Sequence, residues 1–146
     1  MHEITVQAHR RDEPGRWVRL RLGLRDRSAG EPFLAHGTAY ACAIEPGDDV
    51  ARRYGPANWE SGILSGAGYA WRRWLSDNRG LLVSELTGRL KGGDIDGIAA
   101  ATLGAAAALL GRDYPTDAHS EWSVTTVPTA VNGAESNESR EPAAKP

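Results

Sequence analysis

The sequence predicts an α+β fold: a two-layer sandwich in β-β-β-α-β-α order, with helices on one face of a mostly antiparallel sheet and an optional C-terminal edge strand. Three observations carry this. Apolar residues alternate with polar ones in the first 44 residues, and short polar turns separate the alternating runs. Two longer segments, 59–75 and 95–110, space their apolar residues as helices do. A short apolar run of strand length lies between those helices.

In the first strand Ile4, Val6 and Ala8 alternate with Thr5, Gln7 and His9. After the turn RRDEPG, the run RWVRLRLGLR puts Val18, Leu20, Leu22 and Leu24 on one face. Trp17, Arg19, Arg21 and Arg25 fall on the other. DRSAGEP turns the chain again, AHGTAYACAI (35–44) is the third strand, and EPGDD ends it. Residues 50–58 read as a loop around Tyr54-Gly55-Pro56, after which Asn58 caps the first helix, from Trp59 to Leu75. Ile63, Ala67, Ala70, Trp71 and Trp74 lie near one face of that helix, with Gly80 at its C′ position. LLVSEL (81–86) is the fourth strand, TGRLKGG a loop, and 95–110 the second helix, stopped by GRDYP. EWSVTTV (121–127) is the optional edge strand. Residues 1–127 therefore form one domain, and 128–146, almost without apolar bulk, read as a disordered tail.

Composition narrows the function classes. The longest apolar stretch, Ile98 to Leu110, is too short for a bilayer and is interrupted by Thr102 and Gly104. No apolar h-region follows the N-terminus, so the expected setting is cytoplasmic, with no membrane partner. A single cysteine, Cys42, excludes an intrachain disulfide and a cysteine-based zinc cluster. The net charge of −2 gives no bulk attraction to nucleic acid, yet seven arginines fall between Arg10 and Arg27 and concentrate positive charge on the first hairpin.

The stretch GGDIDGIAAAT offers two carboxylates. A calcium loop of the EF-hand type needs more oxygen donors and a terminal Glu. A magnesium site would want a phosphate and a base such as Arg89 or Lys91. The simpler reading has Asp94 capping the helix and Asp96 in its first turn, both at the positive end of the dipole. SGILSGAGYA resembles a phosphate cradle, but neither G-x-x-x-x-G-K-[ST] nor G-x-G-x-x-G is present. Gly66 and Gly68 lie within the helix at a cost of about 1 kcal/mol each, which close packing on a neighbouring helix would offset. Among nucleophiles, Cys42 and His36 are six residues apart, about 20 Å along one strand, too far to act as a pair. Ser61, Ser65, His119 and the carboxylates Glu60 and Glu85 form no recognisable constellation, and the four histidines lack zinc spacing. No catalytic residue, metal or cofactor is expected.

The arginine face of the second strand has two readings. It is a solvated face whose arginines pair with cross-strand acids, or it is an RNA-binding platform on which Trp17, Arg19 and Arg21 are joined by His9, Gln7 and Tyr40. Loop residues Arg10, Arg11 and Arg16 would extend such a platform.

The stretch from Pro56 to Gly111 resembles the second half of domain IV of translation elongation factor G. There a proline loop leads to a helix with a Gly-Ile pair, here Gly62-Ile63, followed by a strand, a loop with an acid, here Asp96, and an Ala-rich helix. The resemblance implies the fold of ribosomal protein S5 domain 2 and contact with the ribosome. No GTPase motif accompanies it, so no GTP hydrolysis is implied. The leading expectation is a non-enzymatic binding module that contacts RNA or the ribosome through Arg10, Arg11, Arg16, Trp17, Arg19 and Arg21. One alternative is an assembly module acting as a homo-oligomer, with Trp17 and Trp122 in an interface. Another is a small enzyme with a site between Asp94/Asp96 and the Gly-rich first helix.

Overall fold

In the computed structural model, the described residues are 3–46, 56–74, 79–91, 94–115 and 118–127, without the side chains of 36–43, 45–46 and 56–60. The tail expected at 128–146, residues 50–55 of the expected loop, and the side chains of His36, Tyr40, Cys42, Asn58 and Glu60 lie outside that set. The elements follow in the order β1 (Glu3–Arg10), β2 (Glu13–Asp26), β3 (Leu34–Pro46), α1 (Pro56–Trp74), β4 (Arg79–Leu90), α2 (Ile95–Leu109) and β5 (Trp122–Val127). The strands form one mixed sheet in the order β3-β4-β2-β1-β5. β1 pairs antiparallel with β2 and β5, β2 antiparallel with β4, and only β3 and β4 run parallel. The fold is α+β.

Alternation in β1 and β2 turns Val6, Ala8, Val18, Leu20 and Leu22 towards the helices. There they join Ile63, Ala67, Ile98, Leu103 and Trp122 in one buried cluster. α2 lies over β1, β2 and β5, and α1 packs beside α2 on the β3 side. Small residues set the spacing between these layers. A Cβ on Gly66 would come 2.4 Å from the Ala99 carbonyl, and one on Gly62 would come 2.8 Å from the Ile98 Cβ. On the sheet side of α2, Gly97 receives the Trp122 ring and Gly104 receives Val124. Thr102, fully buried among alanines, donates its hydroxyl to the Ile98 carbonyl at 2.8 Å and leaves no polar atom unsatisfied. α2 ends with Gly111 at φ 66°, whose N–H bonds the Ala108 carbonyl while the Arg112 N–H bonds that of Ala107. This is the Schellman arrangement that a glycine at C′ favours.

Several local expectations change. α1 begins at Pro56, two residues before Asn58, because proline suits a first helical turn whose N–H groups have no partners. Gly80 and the segment TGRL belong to β4 instead of a helix end and a loop. Both glycines sit where backbones approach closely: a Cβ on Gly80 would be 2.7 Å from the Phe33 carbonyl, and one on Gly88 2.4 Å from that of Trp17. Gly68 does not serve helix packing, since its Cβ position meets only the Arg72 guanidinium, at 3.5 Å. Trp71 leaves the buried face of α1 and is 40% exposed. Trp122 is the reverse, 2% exposed and sealed beneath α2, so it is a core residue and not an interface one.

Candidate nucleic-acid interface

The sheet has two unlike faces. One carries α2 and α1; among the described residues no helix covers the other. Pairing register builds rows across this open face. His9, Trp17 and Arg89 stand side by side with Ser123; Gln7, Arg19 and Thr87 with Thr125; Thr5, Arg21 and Glu85 with Val127. Cross-strand partners of this kind are near neighbours, so the rows through Trp17 and Arg19 lie side by side, with Trp17 in the end row and Thr5 of the third row buried. The face brings together Trp17, Arg19 and Arg21 with His9 and Gln7, as the alternation implies.

The arginines of this face are oriented by neighbours. Arg21 Nε lies 2.8 Å from Glu3 Oε1, an ion pair with an exposed arginine and a half-buried glutamate. Arg19 donates from Nη2 to Gln7 Oε1 at 3.1 Å, while its Nε is buried without a partner. Arg21 is exposed, whereas Arg19 is half-buried with its Nε turned away from solvent. Glu3 is the cross-strand acid of the solvated reading, and it serves Arg21.

Arg10, Arg11 and Arg16 have other engagements. Arg10 Nε pairs with Asp12 at 2.9 Å and its Nη2 approaches Glu121 at 3.9 Å. The guanidinium of Arg10 holds the Asp12 carboxyl below its ordinary range. Arg11 donates from Nε to the Ser120 carbonyl at 2.9 Å and ties β1 to the turn before β5. Arg16 is the most committed. Its Nε donates to Asp94 Oδ2 at 2.9 Å, its Nη2 to Asp94 Oδ1, and its Nη1 to Glu13 Oε1 at 3.4 Å. The Asp94 bonds, followed by its charge and by Glu13, raise the Arg16 pKa further above its already high value. Lys91 Nζ adds a 2.8 Å contact to Glu13, and it heads the groups that lower the Glu13 pKa.

Asp94 is therefore not a capping residue in the expected sense. Its side chain makes no cap bond to α2; it accepts the Lys91 N–H at 2.8 Å and both arms of the Arg16 fork, at 1% exposure. A carboxylate so buried needs a fixed cation, and a bidentate arginine supplies one. Residue spacing could not reveal this partner, which is 78 positions away in the chain. Asp96 stays exposed in the first helical turn. The glycines of α1 offer no cradle, because Ile98, Ala99 and Thr102 of α2 occupy the space beside Gly62 and Gly66. Among the described residues, no three His, Cys, Asp or Glu side chains gather to hold a metal ion.

A cleft of ≈350 Å³ opens between the end of α2 and β5, lined by Arg11, Tyr114, Pro115, Ser120, Trp122 and Val124. The Tyr114 hydroxyl and Trp122 Nε1, on two of the lining residues, are buried without hydrogen-bond partners. Burial pushes the Tyr114 hydroxyl up to about 12. No helix among the described residues is long and apolar enough to cross a membrane. No protein family, no curated protein and no solved structure matches this chain.

Proposed function

We propose that this chain is a non-enzymatic module that binds RNA, in a ribosomal setting, through the open face of its sheet. The observation that carries the reading is the register itself: Trp17 stands between His9 and Arg89, one row from Arg19 and two from Arg21. An aromatic ring flanked by cationic and imidazole groups suits a stacked base with its phosphates alongside, and sheet faces of this composition bind single strands in that way. The sequence resemblance of residues 56–111 to domain IV of elongation factor G, and the ribosomal fold it implies, point to the same setting. Under it Arg10, Arg11 and Arg16 play a lesser part, since each already holds the fold together.

The expected affinity is modest. One stacked base contributes about 1–3 kcal/mol. Three arginine contacts to a single strand give a slope of log affinity against log salt of about −2. An electrophoretic mobility assay with total cellular RNA at low and moderate salt tests the reading, with wild type beside Arg19→Ala/Arg21→Ala. Binding that weakens with salt and disappears in the double variant supports it. Absence of binding at low salt removes it and leaves the arginines as a solvated face.

A further inference from the structure

The opposite side of the molecule carries a surface that RNA binding does not use. Leu64 is 54% exposed and Trp71 is 40% exposed, both on α1. At about 100° per residue they lie roughly 160–180° around the helix from the stripe of Gly62 and Gly66 that meets α2. α1 lies on the β3 side of α2, so this apolar flank looks outward, above the edge of the sheet. Trp71 extends the flank to Phe33, just before β3, with ring centroids 5.9 Å apart. Beneath the flank runs β3, an edge strand that pairs only with β4 among the described residues. A register irregularity between His36 and Ala41 leaves Ala41–Pro46 as its longer regular stretch. An open edge and an exposed apolar flank on the same side are each features that proteins usually cover.

We propose that a second copy of this chain covers both. A two-fold axis normal to the sheet lays β3 antiparallel to its own copy, so each edge supplies the donors and acceptors the other lacks. The same axis keeps both helix layers on one side of the joined sheet. It therefore brings the Leu64/Trp71 flank of one α1 against that of the other. The chain's own last residues, 128–146, do not suit this surface, since Val131 is their one large apolar side chain. A helix of 19 residues is about 28 Å long, and strand and helix together stand about 20 Å high, giving roughly 600 Å² per copy. A total of about 1,200 Å² lies at the low end of specific interfaces, the size typical of weak, reversible complexes, and the association proposed is in the micromolar range.

Sedimentation velocity from about 1 to about 100 µM brackets that range. Wild type is expected to move with concentration from the 15.7 kDa monomer towards twice that mass. Leu64→Lys/Trp71→Lys, with an unchanged far-ultraviolet circular dichroism spectrum, is expected to weaken association by about 100-fold. Should lysine beside Phe33 disturb the end of the helix, Leu64→Lys alone is expected to weaken it by about 10-fold. A wild type that remains at 15.7 kDa throughout overturns the proposal. So does a folded variant that associates as tightly as wild type, which would place the contact elsewhere. RNA affinity is measured separately on the Arg19/Arg21 face, so either proposal can fail alone.

Discussion

Arg16 and Arg19 sit three residues apart on one strand and meet opposite surroundings. Arg16, near the start of β2, reaches across to Asp94 at the head of α2 and is locked in a fork whose acceptor is 1% exposed. Arg19 lies on the open face, where it donates a 3.1 Å bond to Gln7. The first joins two layers of the fold; the second is held in place but still faces water. An arginine's role here is decided by what lies across from it in space, and for Arg16 that is an acid far along the chain.

The largest effect expected is on the covered side. Arg16→Met strands the buried Asp94 carboxylate and is expected to cost about 3–5 kcal/mol in urea unfolding. Adding Asp94→Leu should recover much of that loss, because the uncompensated charge disappears with its partner. A loss of only a few tenths of a kcal/mol for Arg16→Met would erase the contrast with Arg19.

Next comes the helix seam. Gly66→Ala drives a methyl against the Ala99 carbonyl and should destabilise by about 1–3 kcal/mol. Gly68→Ala, two residues on, meets only a movable guanidinium and should stabilise by about 0.5–1 kcal/mol. Opposite signs at these two glycines would sharpen the account of α1 packing; equal losses would break it.

Tyr114 gives a pH test of the same side. Its folded pKa is raised from the model-compound value of 10.0 to about 12 by burial, so its contribution is fully present below pH 10 and declines as pH rises through 12. A spectrophotometric titration should show one tyrosine ionising later than the others, and Tyr114→Phe should remove that late step.

The smallest stability effect is expected on the open face. Arg21 pairs with Glu3 in water, at 47% and 23% side-chain exposure, and Arg21→Ala should cost no more than about 1 kcal/mol. A larger loss would mean that this face, too, is structural.

Much of this architecture was legible in the residues. Alternation in β1 and β2 separates the core row of Val18, Leu20 and Leu22 from the row of Trp17, Arg19 and Arg21, because a strand's period of two assigns each residue to a face. Gly111 and the chain reversal after α2 were equally readable. Features that depend on contact across layers were not. Asp94 looked like a helix cap because local sequence shows its helix and not the arginine facing it. Gly80 and Gly88 looked like turn residues, whereas each lies where another backbone leaves no room for a side chain. Trp122 and Trp71 exchanged expected roles for the same reason. The glycine that admits an indole ring under α2 is Gly97, and only the folded chain brings the two together.

The most direct test of the central claim compares the open face with the hairpin end. RNA affinity would be measured across a salt series for wild type, Trp17→Ala/Arg19→Ala and Arg10→Ala/Arg11→Ala. The account predicts that the open-face pair loses about 10-fold or more in affinity and flattens the salt slope by about 1. The hairpin-end pair should stay within a few-fold of wild type. Equal losses in both pairs, or a loss confined to Arg10 and Arg11, would contradict it.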